Sequence, residues 1–85
     1  MTLQWRRLTN RALPDTLAIL KIRLNGEPYE LSEPLTIAAL LTRLDIDSRR
    51  VAVERNVEVV KKAAYGTTVV VENDEIEIVN FVGGG

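Results

Sequence analysis

The first patterned part of the chain alternates between apolar and polar residues on both sides of a turn. Residues 19–24 alternate from Leu20 on and predict a half-buried strand. The pair Asn25-Gly26 follows, and both residues tolerate the positive φ angles of a tight hairpin turn. Residues 27–31 predict the returning strand, with Pro28 near its start, where a missing amide hydrogen does least harm. The chain therefore begins its patterned part with a β-hairpin.

The hydrophobic period changes from two to about 3.6 in residues 35–44. Ile37, Leu40, Leu41 and Leu44 follow the i, i+3, i+4, i+7 spacing of one helix face. Thr36 suits the N-cap position. Such a stripe must be buried against another element, so the predicted helix lies on one face of the sheet. Residues 45–50 form a polar connection.

The second half of the chain is rich in β-branched residues and turn signals. The pattern predicts strands at residues 51–55, 57–60, 67–71 and 75–82. The strand at 57–60 is a short edge element, and segment 61–66 indicates a helical turn. Asn73-Asp74 marks the turn before the last strand.

This order of elements predicts an α+β fold of the ubiquitin-like β-grasp type. The expected architecture is a mixed sheet of four to five strands, with the first and last strands side by side at its centre and one main helix on one face. We predict that residues 19–82 form this domain. Residues 1–18 are expected to form a poorly ordered N-terminal extension, and residues 83–85 a flexible glycine tail.

Composition excludes several classes of function. Lys plus Arg (11) nearly balance Asp plus Glu (12), which leaves no basic face for nucleic acid. No apolar stretch approaches the roughly 18 residues of a membrane span. The chain has no Cys and no His, so the commonest metal sites and a Ser-His or Cys-His nucleophile are excluded. The absence of cysteine is compatible with a reducing compartment, and we expect a cytoplasmic protein.

The most reactive candidate group is the carboxylate of Gly85. Gly83 and Gly84 precede it, and a run without side chains is slim enough to enter a narrow tunnel in a partner enzyme. Three extended residues reach roughly 10 Å beyond a folded body. If the protein takes part in covalent chemistry, this carboxylate is therefore the group that we expect to react. Without His, Cys or a convincing pair of carboxylates, the chain is not expected to be an enzyme in its own right.

Three segments resemble the ThiS-type sulfur carriers of thiamine biosynthesis. These are residues 53–56 (Val-Glu-Arg-Asn), 73–79 (Asn-Asp-Glu-Ile-Glu-Ile-Val) and 81–85 (Phe-Val-Gly-Gly-Gly). The resemblance spans roughly residues 20–85 and includes the Leu-Asn-Gly of the first hairpin. The ending is its most specific part, because the β-grasp fold hosts many unrelated functions.

The resemblance implies a reaction sequence and its partners. A ThiF-type enzyme uses ATP to adenylate the carboxylate of Gly85, and the carrier itself binds no cofactor. A sulfur donor, usually a persulfide from a cysteine desulfurase, then converts the adenylate to a thiocarboxylate. A ThiG-type thiazole synthase takes up that sulfur to form the thiazole ring.

The last predicted strand carries the candidate partner surface. Ile76 and Ile78 share one face, so Val79 and Phe81 lie on the other. If the helix covers the first face, these two side chains stand on the open face of the sheet beside the tail. We predict that Val79, Phe81 and Val82 contact the partner enzymes in turn. Ordinary sheet packing, or cover by the N-terminal residues, is the alternative.

Residues 1–18 depart from the family pattern, in which only a few residues precede the first strand. They contain Trp5, three arginines and a single acid. A loosely ordered arm or an upstream start codon is one interpretation and an organelle transit peptide is another. Trp5 can dock on the domain or on a neighbouring chain.

Three other functions stay open at the level of the sequence. A small subunit of molybdopterin synthase uses the same terminal thiocarboxylate on the same fold. A ubiquitin-like modifier forms an isopeptide bond through its terminal glycine. A plain interaction module has a glycine end that plays no chemical role.

Overall fold

The computed structural model describes residues 19–81, which form a five-stranded sheet and one α-helix. The strands are β1 (Leu20–Leu24), β2 (Glu27–Leu31), β3 (Val51–Arg55), β4 (Glu58–Val60) and β5 (Glu75–Asn80), and the helix α1 spans Ile37–Arg43. Two short 3₁₀ turns, Ser48–Arg50 and Lys62–Ala64, precede β3 and follow β4. The predicted extension 1–18, Val82 and the predicted tail 83–85 lie outside the described residues.

The strands are ordered β2-β1-β5-β3-β4, so the first and last strands are neighbours at the centre. β1 and β5 run parallel, with Leu24 opposite Ile76, whereas the other neighbouring pairs are antiparallel. This mixed sheet with one helix confirms the predicted α+β, ubiquitin-like β-grasp architecture. It also places β5, which leads into the glycine run, between two hydrogen-bonded neighbours.

The first hairpin has the predicted turn. Asn25 and Gly26 both have positive φ angles, 51° and 85°, which match a tight hairpin turn. The Asn25 side chain also ties the turn to the centre of the sheet, because its Oδ1 accepts a hydrogen bond from the Ile78 amide at 2.7 Å. The turn therefore orients β1 against β5 as well as against β2.

Helix α1 begins at the predicted cap and ends one residue before the predicted limit. Thr36 Oγ1 accepts a hydrogen bond from the Ala39 amide at 3.1 Å, which confirms Thr36 as the N-cap. At the other end Asp45 takes a φ of 61°, and the Ile46 amide donates to the Leu41 carbonyl at 2.9 Å. This is a Schellman-type ending with aspartate in the position that glycine usually occupies.

The core lies between α1 and one face of the sheet. Its buried members are Ile22, Leu31, Ile37, Leu40, Leu41, Val51, Val53, Tyr65, Val70 and Ile76. The predicted helix stripe supplies three of them, and Leu44 packs against the cluster while partly exposed. The opposite face of the sheet, which we call the open face, carries no described helix.

The predicted strand at residues 67–71 is wrong. This segment makes a single isolated bridge between Val69 and Thr36 and does not join the sheet. Its Val70 side chain is fully buried, and the Val70 amide donates to the Leu35 carbonyl at 2.8 Å. The β-branched run therefore packs beside the start of α1, where it fills the core without strand partners. The last strand is also shorter than predicted, since β5 ends at Asn80.

Candidate functional site

The candidate site is the end of the sheet from which the chain runs on toward the glycines. Of the predicted site residues, Val79 lies on β5 and Phe81 is the last described residue. Val82, Gly83, Gly84 and the proposed modified residue Gly85 lie outside the described part of the chain. The structure therefore describes the chain as far as Phe81, which we call the base of the tail.

The backbone of Phe81 is fixed to the neighbouring strand entrance. Its amide donates to the Arg50 carbonyl at 2.8 Å, which extends the β3–β5 ladder one step beyond the pairing of Asn80 with Val51. The Phe81 side chain remains half exposed. An ordered backbone thus carries an aromatic ring to the surface immediately before the glycine run.

Lys62 bridges the segments that surround Phe81. Its Nζ donates to the carbonyl oxygens of Ser48 at 2.8 Å and Val51 at 3.0 Å. The same ammonium group lies 5.2 Å from the centre of the Phe81 ring and 5.8 Å from that of Tyr65, within the range of cation–π attraction. Lys62 therefore provides hydrogen bonds to two backbone carbonyl groups near the start of β3, beyond the end of β4. Its ammonium group also contacts the Phe81 ring at the base of the tail.

Val79 is exposed on the open face of β5, and Phe81 is exposed immediately after the end of that strand. Their side chains are 55% and 50% exposed, high fractions for apolar residues. Ala52 lies opposite Val79 on β3 and continues the apolar surface. We call these three residues the tail-end patch. Their role in partner binding stays a prediction.

Two arginines beside the patch are held by one carboxylate. Arg49 Nε and Nη2 donate to Asp47 at 3.1 and 3.0 Å, and Arg50 Nε lies 3.8 Å from the same side chain. The hydrogen bond from the Arg49 side chain, together with that from the Arg49 amide, lowers the pKa of Asp47 to about 2. Arg49 and Arg50 remain largely exposed. Positive charge therefore lies close to Phe81 in the sequence of contacts, since Lys62 contacts its ring and the Arg50 carbonyl accepts from its amide.

The middle of the open face is negatively charged, in contrast to the positively charged residues near Phe81. Glu54 on β3 lies directly opposite Glu77 on β5, and Val59 of β4 lies on the other side of Glu54. Val59 is 69% exposed. No salt bridge within residues 19–81 involves either glutamate. Like charges that face each other across strands destabilise a sheet, so this pair is a local cost of the fold.

Two of the segments that resemble the family, residues 53–56 and 73–79, meet in a hydrogen-bonded cluster around Asp74. The sequence pattern did not predict this cluster. Asp74 is 4% exposed and accepts hydrogen bonds from Arg55 Nε at 2.8 Å, Asn56 Nδ2 at 3.0 Å and the Val71 amide at 2.9 Å. Burial alone would raise the pKa of Asp74, but the hydrogen bonds and the guanidinium charge outweigh it and lower the pKa. Asn56 completes the cluster, since its Oδ1 accepts from the Glu75 amide at 2.9 Å.

The hydrogen bonds of this cluster hold parts of the fold together. They tie the β3–β4 turn to the start of β5, and the turn itself is strained because Asn56 and Val57 have φ angles of 52° and 76°. A β-branched residue rarely adopts such an angle. Among residues 19–81 no group of three or more His, Cys, Asp or Glu side chains is arranged to hold a metal ion. In the same part of the chain, every helix is too short or too polar to span a membrane.

Comparison with known proteins identifies the family. The profile of the ThiS family matches residues 22–85, a range that runs from β1 through the whole glycine run. The chain belongs to the ThiS family. The sulfur carrier protein ThiS of Bacillus subtilis is 38% identical over 65 residues, which cover 75% of this chain and 98% of that protein. The resemblance that the sequence indicated is thereby confirmed.

A solved structure and a longer relative extend this result. The crystal structure of a thiamine biosynthesis protein, ThiS from Geobacter metallireducens, superimposes with a TM-score of 0.70 and 33% identity, and the match covers 78% of this chain and 100% of that one. A thiazole synthase of Paramagnetospirillum magneticum is 48% identical over 66 residues, 78% of this chain and 20% of that protein. The chain spans about one fifth of the length of the thiazole synthases that it matches. A ThiS-like region thus occurs within proteins named for thiazole formation.

Proposed function

We propose that this ThiS-family chain is a sulfur carrier of thiamine biosynthesis that carries sulfur on the carboxylate of Gly85. The observation that supports this most directly is the family match, which includes every residue of the glycine run. The exposed base of the tail at Phe81 agrees with it. In this proposal the chain is a protein substrate, and the catalytic groups belong to its partners.

The first step is adenylation by a ThiF-type enzyme. A terminal carboxylate has a pKa of about 3.3–3.7 and is ionised at pH 7. One of its oxygens attacks the α-phosphorus of ATP and pyrophosphate leaves, which gives an acyl-adenylate. The nucleotide is bound by the enzyme, and the carrier supplies only the nucleophile.

The second step exchanges oxygen for sulfur. The outer sulfur of a persulfide, formed by a cysteine desulfurase, attacks the acyl carbon and AMP leaves. A thiol then cleaves the sulfur–sulfur bond of the acyl persulfide and becomes part of a disulfide, which frees the thiocarboxylate on Gly85. Because a thiocarboxylate is readily oxidised, we place this chemistry in the cytoplasm.

The last step transfers the sulfur to a ThiG-type thiazole synthase. The similarity to part of a thiazole synthase supports this partner, because a ThiS-like region and a thiazole-forming enzyme share one polypeptide there. It also favours the thiazole pathway over a role as the small subunit of molybdopterin synthase. We propose that Val79, Phe81 and Val82 contact both enzymes in turn, because Val79 is exposed on the face that α1 leaves uncovered and Phe81 is half exposed where the described chain leads into the tail.

Intact-protein mass spectrometry tests this function. The chain is mixed with a ThiF-type enzyme and ATP, and then with a persulfide donor and a thiol. We expect an adenylylated protein first and then a protein in which one oxygen is replaced by sulfur. Deletion of Gly85 should abolish sulfur loading while circular dichroism shows an unchanged fold. Equal loading of the variant that lacks Gly85 would contradict the proposal.

The partner surface has its own matched pair of variants. Phe81→Asp places a charge in the tail-end patch and should slow adenylation without unfolding the domain. Val69→Asp is the control, because it changes a valine that is exposed to a similar degree, 43%, in the segment beside the start of α1. Adenylation at the wild-type rate by Phe81→Asp would remove Phe81 from the interface.

A further inference from the structure

The open face of the sheet and the residues that precede β1 carry opposite charges. Residues 1–18 contain Arg6, Arg7 and Arg11 with Asp15 as their single acid, whereas the whole chain has a net charge of −1. The remainder of the chain therefore carries a net charge of −3. At the middle of the open face, Glu54 and Glu77 face each other with no salt bridge inside residues 19–81. A cationic segment placed over this pair would relieve its repulsion.

Apolar side chains flank the same two glutamates. Val59 lies beside Glu54 and is 69% exposed, and Val79 follows Glu77 on the same face of β5 and is 55% exposed. The occupant of this surface should therefore combine a large apolar side chain with positive charge. Trp5-Arg6-Arg7 has this composition. In an extended segment Trp5 and Arg7 would project to the same side about 7 Å apart, which is also the spacing of Val79 and Glu77 along β5.

The chain length allows the contact. Residues 1–18 join the domain at Ile19, at the start of the central strand β1. Because Leu24 lies opposite Ile76 in the parallel pair, Ile19 is level with the residues just before β5, about 27 Å from Val79 along the sheet. Trp5 is fourteen residues from Ile19, a stretch that spans up to roughly 46 Å when extended. The segment can therefore cross the open face with residues to spare.

We propose that residues 1–18 dock on the open face of the sheet of their own chain, with Trp5 on Val59 and Val79 and Arg7 on the Glu54–Glu77 pair. The tether makes this an intramolecular contact with an effective concentration on the order of millimolar, so weak individual interactions suffice. The contact covers Val79 and leaves the opposite, helix-bearing face unchanged. With one segment, it accounts for two exposed valines and for a like-charge pair that makes no salt bridge within residues 19–81.

Trp5 makes the proposal directly measurable, because it is the only tryptophan in the chain. In the full-length protein its fluorescence should be blue-shifted and its quenching by acrylamide reduced relative to a free peptide of residues 1–18. The double variant Glu54→Gln/Glu77→Gln should weaken docking about fivefold, the combined effect of two exposed ion pairs, and high salt should act in the same direction. The matched control is Glu58→Gln, an exposed glutamate on the other face of β4, which should leave the fluorescence unchanged.

A second measurement locates the contact. Amide chemical shifts of the full-length chain and of a chain that begins at residue 19 should differ at Ala52, Glu54, Glu77 and Val79 and agree on α1. Free-peptide values for Trp5 together with identical amide shifts on the open face would overturn the proposal. If the Trp5 signal depends on protein concentration and sedimentation shows dimers, the occupant is a second copy and the intramolecular contact is wrong.

Docking has a consequence that rests on the proposed function. Because the segment covers part of the surface proposed for the partner enzymes, removal of residues 1–18 should raise the rate of adenylation, and Glu54→Gln/Glu77→Gln should do so in the full-length chain. The fluorescence and chemical-shift measurements need no partner enzyme. They therefore succeed or fail independently of sulfur loading at Gly85.

Discussion

The substitution Asp74→Asn tests the cluster that connects the β3–β4 turn to β5. In the wild type, Asp74 Oδ2 accepts from Arg55 and from the Val71 amide, and Oδ1 accepts from Asn56. An asparagine at position 74 has one oxygen, which can serve the first two donors, so its NH₂ group must face the Asn56 NH₂. Asn56 cannot rotate to resolve this conflict, because its own Oδ1 is held by the Glu75 amide. The substitution therefore opposes two donors at a buried site.

The expected loss in the free energy of unfolding is about 3 kcal/mol. A buried donor without an acceptor costs about 1–3 kcal/mol, and a hydrogen bond to a charged group contributes about 1.5–3 kcal/mol. The Arg55 side chain is 32% exposed, so water recovers part of its loss and the total stays near the lower end of the summed range. A small domain unfolds in urea with a slope near 1 kcal/mol per molar, so the midpoint should fall by about 3 M.

A compensating substitution makes the prediction specific to hydrogen bonding. When Asn56→Asp is added to Asp74→Asn, the position 74 amide can donate to the new carboxylate, which still accepts from the Glu75 amide. Aspartate tolerates the positive φ of this position nearly as well as asparagine. We expect the double variant to recover at least half of the lost stability in urea unfolding followed by circular dichroism. Wild-type stability of Asp74→Asn alone would refute the reasoning.

The pH dependence gives an independent check with a definite sign. Because the pKa of Asp74 is lower in the folded state than its unfolded value of about 3.9, its contribution is complete above that pH. The contribution is lost as the pH falls through the folded-state pKa. The difference in stability between wild type and Asp74→Asn should therefore shrink below about pH 4. Asp47, whose pKa is also lowered but which lies at the surface, provides the contrast, since Asp47→Asn should hardly move the urea midpoint.

Three further substitutions and one control test the core, the strained turn and the base of the tail. Leu40→Ala, at a fully buried position, should lower the free energy of unfolding by about 2–5 kcal/mol in urea titrations. Val57→Gly should raise it by about 0.5–1 kcal/mol, because relief of a positive φ outweighs the entropy of glycine at a side chain that is 82% exposed. Val59→Gly, two residues further in β4, should lower it instead. Lys62→Met should speed hydrogen exchange of the Phe81 amide, which NMR can follow; an unchanged exchange rate would mean that Lys62 does not hold the base of the tail.

The parts of the fold that the sequence predicted are those with local signals. Asn25-Gly26 specifies its turn through the positive φ angles of two adjacent residues, and Thr36 specifies the helix start through one hydrogen bond three residues on. The period-two pattern of β5 also placed Val79 on the exposed face. In each case the interaction that decides the structure lies within a few residues along the chain.

The parts that were missed depend on contacts between distant segments. Residues 67–71 have strong β propensity, yet β5 already occupies the place between β1 and β3, and Val70 is instead buried beside the start of α1. Asp74 lies within a turn signal, but its partners Arg55 and Asn56 are 19 and 18 residues away. A buried carboxylate of this kind becomes visible only once β3 and β5 are paired.

With the partner surface proposed above, one face of the sheet serves stability and the other serves recognition. The helix-bearing face holds the apolar core, so changes there act on folding. The open face carries Ala52, Val79 and the Glu54–Glu77 pair, so we expect changes to these side chains to act mainly on the proposed partner contacts. β5 contributes to both faces at once, because Ile76 is buried in the core while Val79 is exposed. A central strand that is hydrogen-bonded on both sides therefore fixes the backbone as far as Phe81, which would give the reactive end that we propose at Gly85 a fixed base.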